Sequence, residues 1–230
     1  MSRGLFITGA GTGLGKTLVT STLAWQLVRS GLVVTPLKPV VSGFSAADPE
    51  SDPAVLLRSV GLAPTPAELD AIAPWRFKAA LSPERAARLE GRTIRFAEVV
   101  AFCRTAVESD SDRVLIEGAG GVMSPIDGAR TMLDLIAQVG LPTILVVGTY
   151  LGSLSHALTA LKVLDVARTP IRAIVISDSV DGVGLTEAAK TLGMLAPPAI
   201  EIVTLPRLTG TERDKWEHAP DLTRLCEPRP

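Results

Sequence analysis

The chain has 230 residues, of which 47% are hydrophobic and 20% are charged, and its net charge is −1. This length and composition suit one α/β domain with a substantial core, and the near-zero charge gives no sign of a nucleic-acid or membrane-surface partner. No apolar run approaches the roughly 18 residues of a membrane span, and neither a signal peptide nor a cysteine framework is evident, so we expect a soluble cytoplasmic protein.

Predicted strands and helices alternate along the chain. Short apolar runs predict strands at residues 5–8, 33–38, 113–117, 143–148, 173–177 and 200–205. Amphipathic stretches predict helices at residues 16–29, 54–60, 83–89, 96–108, 132–138, 155–167 and 185–192. Several strand candidates are continuously apolar, which is typical of parallel strands covered on both faces. The order predicts a doubly wound, mostly parallel α/β sheet with helices on both faces, whose ligands bind at the carboxyl ends of the strands.

Two segments lack a regular pattern. Residues 45–53 are acidic, polar and proline-bearing, and we expect a mobile loop or one that a ligand orders. The tail at residues 209–230 is charged and rich in proline. We expect this tail to be partly disordered at the end of a single domain that spans residues 1–230.

The stretch between the first strand and the first helix is rich in glycine. Residues 9–17 read GAGTGLGKT, and the Gly-x5-Gly-Lys-Thr spacing begins at Gly9 because Ala10 stands where the common pattern has glycine. Between a strand and a helix, such a loop binds phosphate through backbone N–H groups and the helix N-terminus. Lys16 can reach the terminal phosphates, and the Thr17 hydroxyl can ligate magnesium. The sequence therefore predicts a phosphate-loop NTPase-like fold with a nucleotide site.

Charged side chains stand near further predicted strand ends. Lys38 closes the second strand in the segment KPVVSG, and Glu117 closes the third strand before a glycine turn. Asp52 begins a short helix. Taken singly, these residues have plainer interpretations, as a surface lysine, a solvated carboxylate and a helix N-cap. Together with the loop they predict one crevice in which the acidic strand end holds magnesium.

In these motifs the chain resembles the dethiobiotin synthetases. The shared marks are the loop at residues 9–17, the KPVVSG segment at 38–43, the Ser-Asp pair at 51–52 and EGAGG at 117–121. A later family segment, Leu-Gly-x-x-Asn-His, is similar to LGSLSH at residues 151–156. The order and spacing of the motifs agree with the family over most of the chain.

The resemblance implies an ATP-dependent cyclo-ligase of biotin biosynthesis. Carbon dioxide or bicarbonate would form a carbamate on one amine of 7,8-diaminopelargonic acid. ATP would phosphorylate the carbamate to a carbamic-phosphoric anhydride, and the second amine would then close the ring of dethiobiotin with release of ADP and phosphate. The implied cofactor is Mg2+, with ATP as co-substrate, and the implied assembly is a homodimer with the site at its interface.

The resemblance also implies which residues form the site. Lys16 and Lys38 would be the catalytic cations. The magnesium ligands would be Thr17, Asp52 and Glu117. Ser42 would hydrogen-bond the carbamate or its parent amine. The far carboxylate of the substrate would be received across the dimer by Gly152, Ser153, Leu154 and Ser155. The ATP contacts would be Thr12, Gly13, Leu14, Gly15, Lys16, Thr17, Leu18, Asp52, Glu117, Gly118, Ala119, Gly120, Ser177, Asp178, Pro206, Arg207 and Leu208.

The chain contains no asparagine, and it therefore departs from the family at two positions. Ser155 stands for the asparagine of the later family segment. Ser177, before Asp178, stands for an asparagine that reads the adenine edge. An amide both donates and accepts, whereas a hydroxyl makes fewer directed hydrogen bonds. We therefore expect weaker discrimination among nucleotide bases than in relatives that carry the asparagine.

Other functions share the phosphate loop. A partitioning or positioning ATPase would carry a second lysine early in the loop, where this chain has Gly11. A cobyrinate-type amide ligase would need a fused glutaminase domain, for which we expect no room in 230 residues. A non-catalytic nucleotide-binding module would not need charged residues such as Lys38, Asp52 and Glu117.

Overall fold

A parallel sheet forms the centre of the computed structural model, which describes residues 3–227. The strands are β1 (Gly4–Gly9), β2 (Val34–Leu37), β3 (Val40–Ser42), β4 (Trp75–Phe77), β5 (Arg113–Glu117), β6 (Thr143–Val147), β7 (Ile171–Ser177) and β8 (Glu201–Leu205). Six of them form the main sheet in the order β2-β5-β1-β6-β7-β8, and every neighbouring pair is parallel.

Helices follow the strands and cover the sheet. They are α1 (Lys16–Arg29), α2 (Asp52–Ser59), α3 (Pro66–Ile72), α4 (Pro83–Leu89), α5 (Phe96–Val107), α6 (Met132–Val139), α7 (Ser153–Val166), α8 (Leu185–Leu195) and α9 (Glu212–His218), followed by a 3₁₀ turn at Thr223–Cys226. Each predicted strand and helix has a counterpart whose ends agree with the predicted ones to within a few residues. The prediction of a doubly wound, mostly parallel α/β fold is therefore confirmed. Within residues 3–227, no helix combines the length and apolarity needed to span a bilayer.

The central strands are apolar throughout because both of their faces are covered. Every residue of β1 and β6 is buried. Successive side chains of a strand point to opposite faces. Accordingly, Phe6 belongs to a core cluster with Leu135 of α6, whereas Ile7 belongs to a second cluster with Leu23 of α1. The continuous apolar runs in the sequence thus reflect two cores, one on each side of the sheet.

Three short elements, β3, β4 and α3, have no counterpart among the predicted strands and helices. β3 lies just beyond Pro39 and pairs in parallel with β4, with Val40 opposite Trp75. Each of these strands has three residues, which is too short for a periodic signal. The helix α3 also has no predicted counterpart, although a recognisable start signal precedes it: Thr65 caps its N-terminus and Pro66 occupies its first turn.

The tail differs from the expectation of disorder over residues 209–227. The helix α9 begins with a capping box in which Thr211 and Asp214 bond reciprocally. Trp216 is 6% exposed, and Leu222 and Leu225 are buried in the same core cluster as residues of α1. The expectation of disorder rested on the charge and proline content of the tail and overlooked these three apolar residues. Their burial stabilises the tail against the rest of the domain. Residues 228–230, the rest of the expected disordered tail, lie outside the described residues.

Candidate functional site

Two adjoining cavities open at the carboxyl ends of the strands. The first, which we call the Lys38 cavity, has a volume of about 760 Å³ and is lined by the phosphate loop, Lys38, Asp52 and Glu117. The second, the Ser177 cavity, has a volume of about 860 Å³ and is lined by the loop, Ser177 and residues that follow β8. Residues 12–15 line both cavities, so the phosphate loop is common to the two.

The backbone of the phosphate loop depends on two glycines. Gly13 has a φ of 72° and Gly15 has a φ of 85°, in the left-handed region that side chains rarely adopt. Gly15 is also the N-cap of α1, and a Cβ at this position would lie 2.9 Å from the Ser177 Oγ. The Lys16 side chain folds over the loop and donates a hydrogen bond of 2.7 Å to the Gly11 carbonyl. The loop is thus closely packed between α1 and the end of β7.

Four polar side chains from distant parts of the chain meet in the Lys38 cavity. The Lys38 Nζ lies 2.5 Å from the Glu117 Oε1 and also forms an ion pair with the Asp52 carboxylate. The Thr17 Oγ1 lies 2.8 Å from the Asp52 Oδ1 and 2.8 Å from the Glu117 Oε1. Since a hydroxyl carries one proton, Thr17 donates to only one of these carboxylates at a time. The structure thus brings Thr17, Lys38, Asp52 and Glu117 together in one crevice.

Burial and charge pairing act against each other in this cluster. Burial disfavours the Lys38 ammonium, but the Glu117 and Asp52 carboxylates outweigh burial and raise the pKa of Lys38. Burial likewise disfavours the charged form of Asp52, but Lys38 together with the Thr17 hydroxyl and Lys16 outweighs burial and holds the pKa of Asp52 below its ordinary value. Burial lowers the pKa of Lys16 to about 8, because the nearby Glu117 carboxylate offsets it only in part. Lys38 is therefore the more firmly held cation of the two.

Two residues that line the Lys38 cavity each have a buried side-chain oxygen without a hydrogen-bond partner among the described residues. Among residues 3–227, the Glu117 Oε2 and the Ser42 Oγ are buried without a hydrogen-bond partner, which is costly unless a ligand or cation meets them. The same part of the chain holds no cluster of three or more His, Cys, Asp or Glu residues that could bind a metal. Two carboxylates and the Thr17 hydroxyl instead suit an ion such as Mg2+, which usually takes its other ligands from water and phosphate.

Most of the predicted site residues line the two cavities. The Lys38 cavity is lined by the predicted residues Thr12, Gly13, Leu14, Gly15, Lys16, Thr17, Lys38, Ser42, Asp52, Glu117, Ala119 and Gly120. Besides loop residues, the Ser177 cavity is lined by the predicted residues Leu18, Ser177, Asp178, Pro206, Arg207 and Leu208. Gly118 lines neither cavity in the described chain, because it packs inward: a Cβ there would lie 3.2 Å from the Phe6 ring.

The helix opening predicted to bind a carboxylate lies next to the Ser177 cavity without lining it, since Tyr150 and His156 on either side of it line that cavity. None of the four predicted residues 152–155 lines either cavity within the part of the chain that the structure describes. Gly152, the N-cap of α7, is exposed and has a φ of 91°. The preceding Leu151 is 92% exposed. Within one chain, this opening is therefore not among the described residues that line the cavity around Lys38.

Some cavity residues have no counterpart among the predicted contacts. The Ser177 cavity also contains Tyr150, His156 and Lys215, and the Tyr150 hydroxyl lies 2.7 Å from the His156 Nδ1. Lys215 lies on α9, in the tail that we expected to be partly disordered. The Lys38 cavity also contains Ser82 and Ser124, which lie outside every motif. Only the capping box at the start of α9 is a sequence signal that could have located Lys215.

The chain is similar to known proteins in sequence and in fold. Residues 3–204 match the family model described as AAA domain. The chain is 46% identical to the ATP-dependent dethiobiotin synthetase BioD of Caulobacter vibrioides over 195 residues, which cover 84% of this chain and 86% of that protein. A protein of the same name from Methylobacterium nodulans is 45% identical over 76% of this chain and 80% of its own. A ParA family ATPase from Chlorobium tepidum has a TM-score of 0.55 at 16% identity, covering 94% of this chain and 90% of its own, which is a likeness of fold alone.

The geometry of Gly15 leads to a matched pair of variants. Gly15 and Gly31 both have a φ of 85°, but an added Cβ at Gly31 would meet nothing within 4 Å. Alanine at either position should cost about 1–2 kcal/mol of unfolding free energy through left-handed strain. Only Gly15→Ala should also abolish ADP binding, because its Cβ would displace Ser177 and distort the loop. Urea unfolding and calorimetric titration with ADP check this; full ADP binding by Gly15→Ala would contradict it.

Proposed function

The chain belongs to the family of ATP-dependent dethiobiotin synthetases, and we propose that it carboxylates 7,8-diaminopelargonic acid and closes the ring of dethiobiotin with cleavage of ATP. The observation that carries the proposal is the presence of two lysines and two carboxylates in one cavity beside the phosphate loop. A carbamate and a γ-phosphate are both anionic, so they can approach only where cations lie between them. Lys16 and Lys38 line the same cavity as the loop and supply this charge.

The phosphate loop supports the binding of ATP. Its backbone N–H groups and the N-terminus of α1 would form a site for the phosphate groups. Lys16, the first residue of α1, would supply a positive charge next to them. The base would lie in the Ser177 cavity, which adjoins the loop on the side of β7 and β8. ATP would thus span both cavities with its terminal phosphate towards Lys38.

The residues present fit a magnesium ion. Thr17, Asp52 and Glu117 would hold it, and the unpaired Glu117 Oε2 supports this assignment because a buried carboxylate oxygen needs a partner. When bound, Mg2+ neutralises the charge that develops between the phosphates. In the ligand-free cluster the Lys38 ammonium contacts the same two carboxylates, so Lys38 and the ion would share their charge.

The reaction requires positioning more than acid–base chemistry. The carbamate oxygen attacks the γ-phosphorus and ADP leaves, after which the second amine attacks the carbamic carbon and phosphate leaves. Lys38 would hold the carbamate against the phosphate. The unpaired Ser42 hydroxyl at the end of β3 would hydrogen-bond the carbamate or the amine from which it forms. No side chain has to serve as nucleophile.

A homodimer would complete the substrate site. The residues proposed to bind the far carboxylate, at 152–155, do not line the cavities of their own chain. Leu151 beside them is 92% exposed and would be available to contact a second copy. We therefore place the site at an interface, with the cavities from one subunit and the helix opening from its partner.

Dependence of ATP cleavage on the substrate tests the proposed function. ADP release should require 7,8-diaminopelargonic acid, bicarbonate and Mg2+ together, and the cyclic urea should be detectable by mass spectrometry. The dependence follows from the need for a carbamate as phosphoryl acceptor. A partitioning ATPase would instead cleave ATP without the diamine, so equal rates with and without it would overturn the proposal.

Lys38→Ala should lower kcat by about 100- to 1,000-fold while leaving ATP affinity nearly unchanged. The reason is that its charge is needed where the carbamate meets the γ-phosphate. Lys162→Ala is the matched control, because the Lys162 side chain is 74% exposed on α7 and pairs only with Asp165 among the ion pairs that the structure shows. Steady-state kinetics and nucleotide titration separate the two effects. Near-normal turnover by Lys38→Ala would remove Lys38 from the mechanism.

Base selectivity should be modest in this chain. A hydroxyl at Ser177 makes fewer directed hydrogen bonds to a base than an amide, so the preference for ATP over GTP or CTP should stay below about a thousandfold. Ser177→Asn, which introduces an amide at this position, should increase that preference. Competition assays with equal triphosphate concentrations measure both proteins. A larger preference in the unmodified chain would show that other groups read the base.

A further inference from the structure

The tail bridges the two helices that carry the hydroxyl and one carboxylate of the proposed magnesium site. Thr17 lies on α1 and Asp52 begins α2, and α9 contacts both helices through polar side chains. We propose that Glu212, at the start of α9, is a positioning residue for this site, which acts through Arg58 on the segment leading into Asp52. The inference rests on the proposed function only in assigning Asp52 to the ion.

The first link joins α9 to α2. The Arg58 Nε donates to the Glu212 Oε2 at 2.8 Å, and its Nη2 donates to the Glu212 Oε1 at 2.5 Å. This two-bond geometry fixes the guanidinium in direction as well as in place. The Arg58 and Glu212 side chains are 29% and 20% exposed, so water competes for the pair less than at an open surface. Glu212 therefore orients Arg58.

The second link joins Arg58 to the entry of α2. The same Arg58 Nη2 donates to the Pro49 carbonyl at 2.6 Å. Pro49 lies three positions before Asp52 in a segment whose residues at 46–50 are all exposed. An exposed segment with little packing depends on such hydrogen bonds for its position. Arg58 thus holds the chain just ahead of the carboxylate that contacts Thr17 and Lys38.

The third link fixes α9 itself. The Trp216 Nε1 donates to the Ser21 Oγ of α1 at 2.9 Å, and both groups are buried. Gln26, also on α1, donates to the Pro220 carbonyl at 3.0 Å and accepts from the Leu222 N–H at 2.9 Å. Glu212 is therefore anchored to the helix that carries Thr17. Through Arg58 it sets where Asp52 stands relative to that hydroxyl.

The two carboxylates of the cluster differ in how they are held. Glu117 ends β5 inside the sheet and is fully buried, so loss of a surface contact leaves it in place. The Asp52 side chain is 41% exposed and its place depends on α2 and the preceding segment. Loosening Arg58 should therefore displace Asp52 alone. The consequence is weaker binding of nucleotide with Mg2+, while nucleotide without the ion binds as before.

Titration of ADP with and without Mg2+ tests this inference. In the presence of Mg2+, Glu212→Gln should bind ADP about three- to tenfold more weakly than the unmodified chain. In EDTA, the two proteins should bind ADP with the same affinity. Glu217→Gln is the matched control, since it removes the 2.9 Å ion pair with Arg213 on the same helix, between side chains that are 41% and 71% exposed. The control should behave like the unmodified chain in both titrations.

The two titrations distinguish positioning from general support of the fold. Equal losses of affinity with and without Mg2+, or no change in either, would overturn the inference. If Glu212→Gln does not fold, Glu212→Asp, with a side chain shorter by one methylene, is measured in the same way and should show the same Mg2+-specific loss. The diamine is absent from these titrations, so the inference can stand even if substrate-dependent ATP cleavage fails.

Discussion

The site is arranged around the buried ion pair between Lys38 and Glu117. Both residues are buried at the carboxyl edge of the sheet. A buried charge is costly unless an opposite charge and hydrogen bonds meet it closely. Thr17 and Asp52 complete those contacts. Parts of the chain that are far apart in sequence must therefore come together at one point, and the sheet is what brings them there.

Strand order explains how this happens. β5 lies between β1 and β2, with Glu117 opposite Ile7 and Leu37 opposite Ile116. Lys38 follows Leu37 directly, so it emerges beside Glu117 on one side, while the phosphate loop emerges after β1 on the other. β6 adjoins the far side of β1, and this change in direction opens a crevice for ligands. The registers of β5 with β1 and β2 thus place Lys38, the Glu117 carboxylate and the phosphate loop next to one another.

The remaining parts of the site come from segments outside the central strands. Asp52 begins a helix at the surface, Lys215 belongs to the docked tail, and the helix opening at Gly152 is proposed to act in a second subunit. Reactions that depend on positioning are sensitive to such supports, because small displacements weaken electrostatic contacts strongly. The sheet therefore fixes Lys38 and Glu117, whereas Asp52, Lys215 and Gly152 depend on segments at the surface.

The sequence by itself determined the fold class, the phosphate loop and most of the residues that line the two cavities. Those features are local: a glycine pattern between a strand and a helix, and apolar runs that mark buried parallel strands. The tertiary structure alone decided that β3 pairs with β4, that Gly118 packs against Phe6, and that the tail docks on α1. It also decided that one lysine contacts both carboxylates. These outcomes depend on contacts between residues distant in the chain, for which neither periodicity nor composition carries a signal.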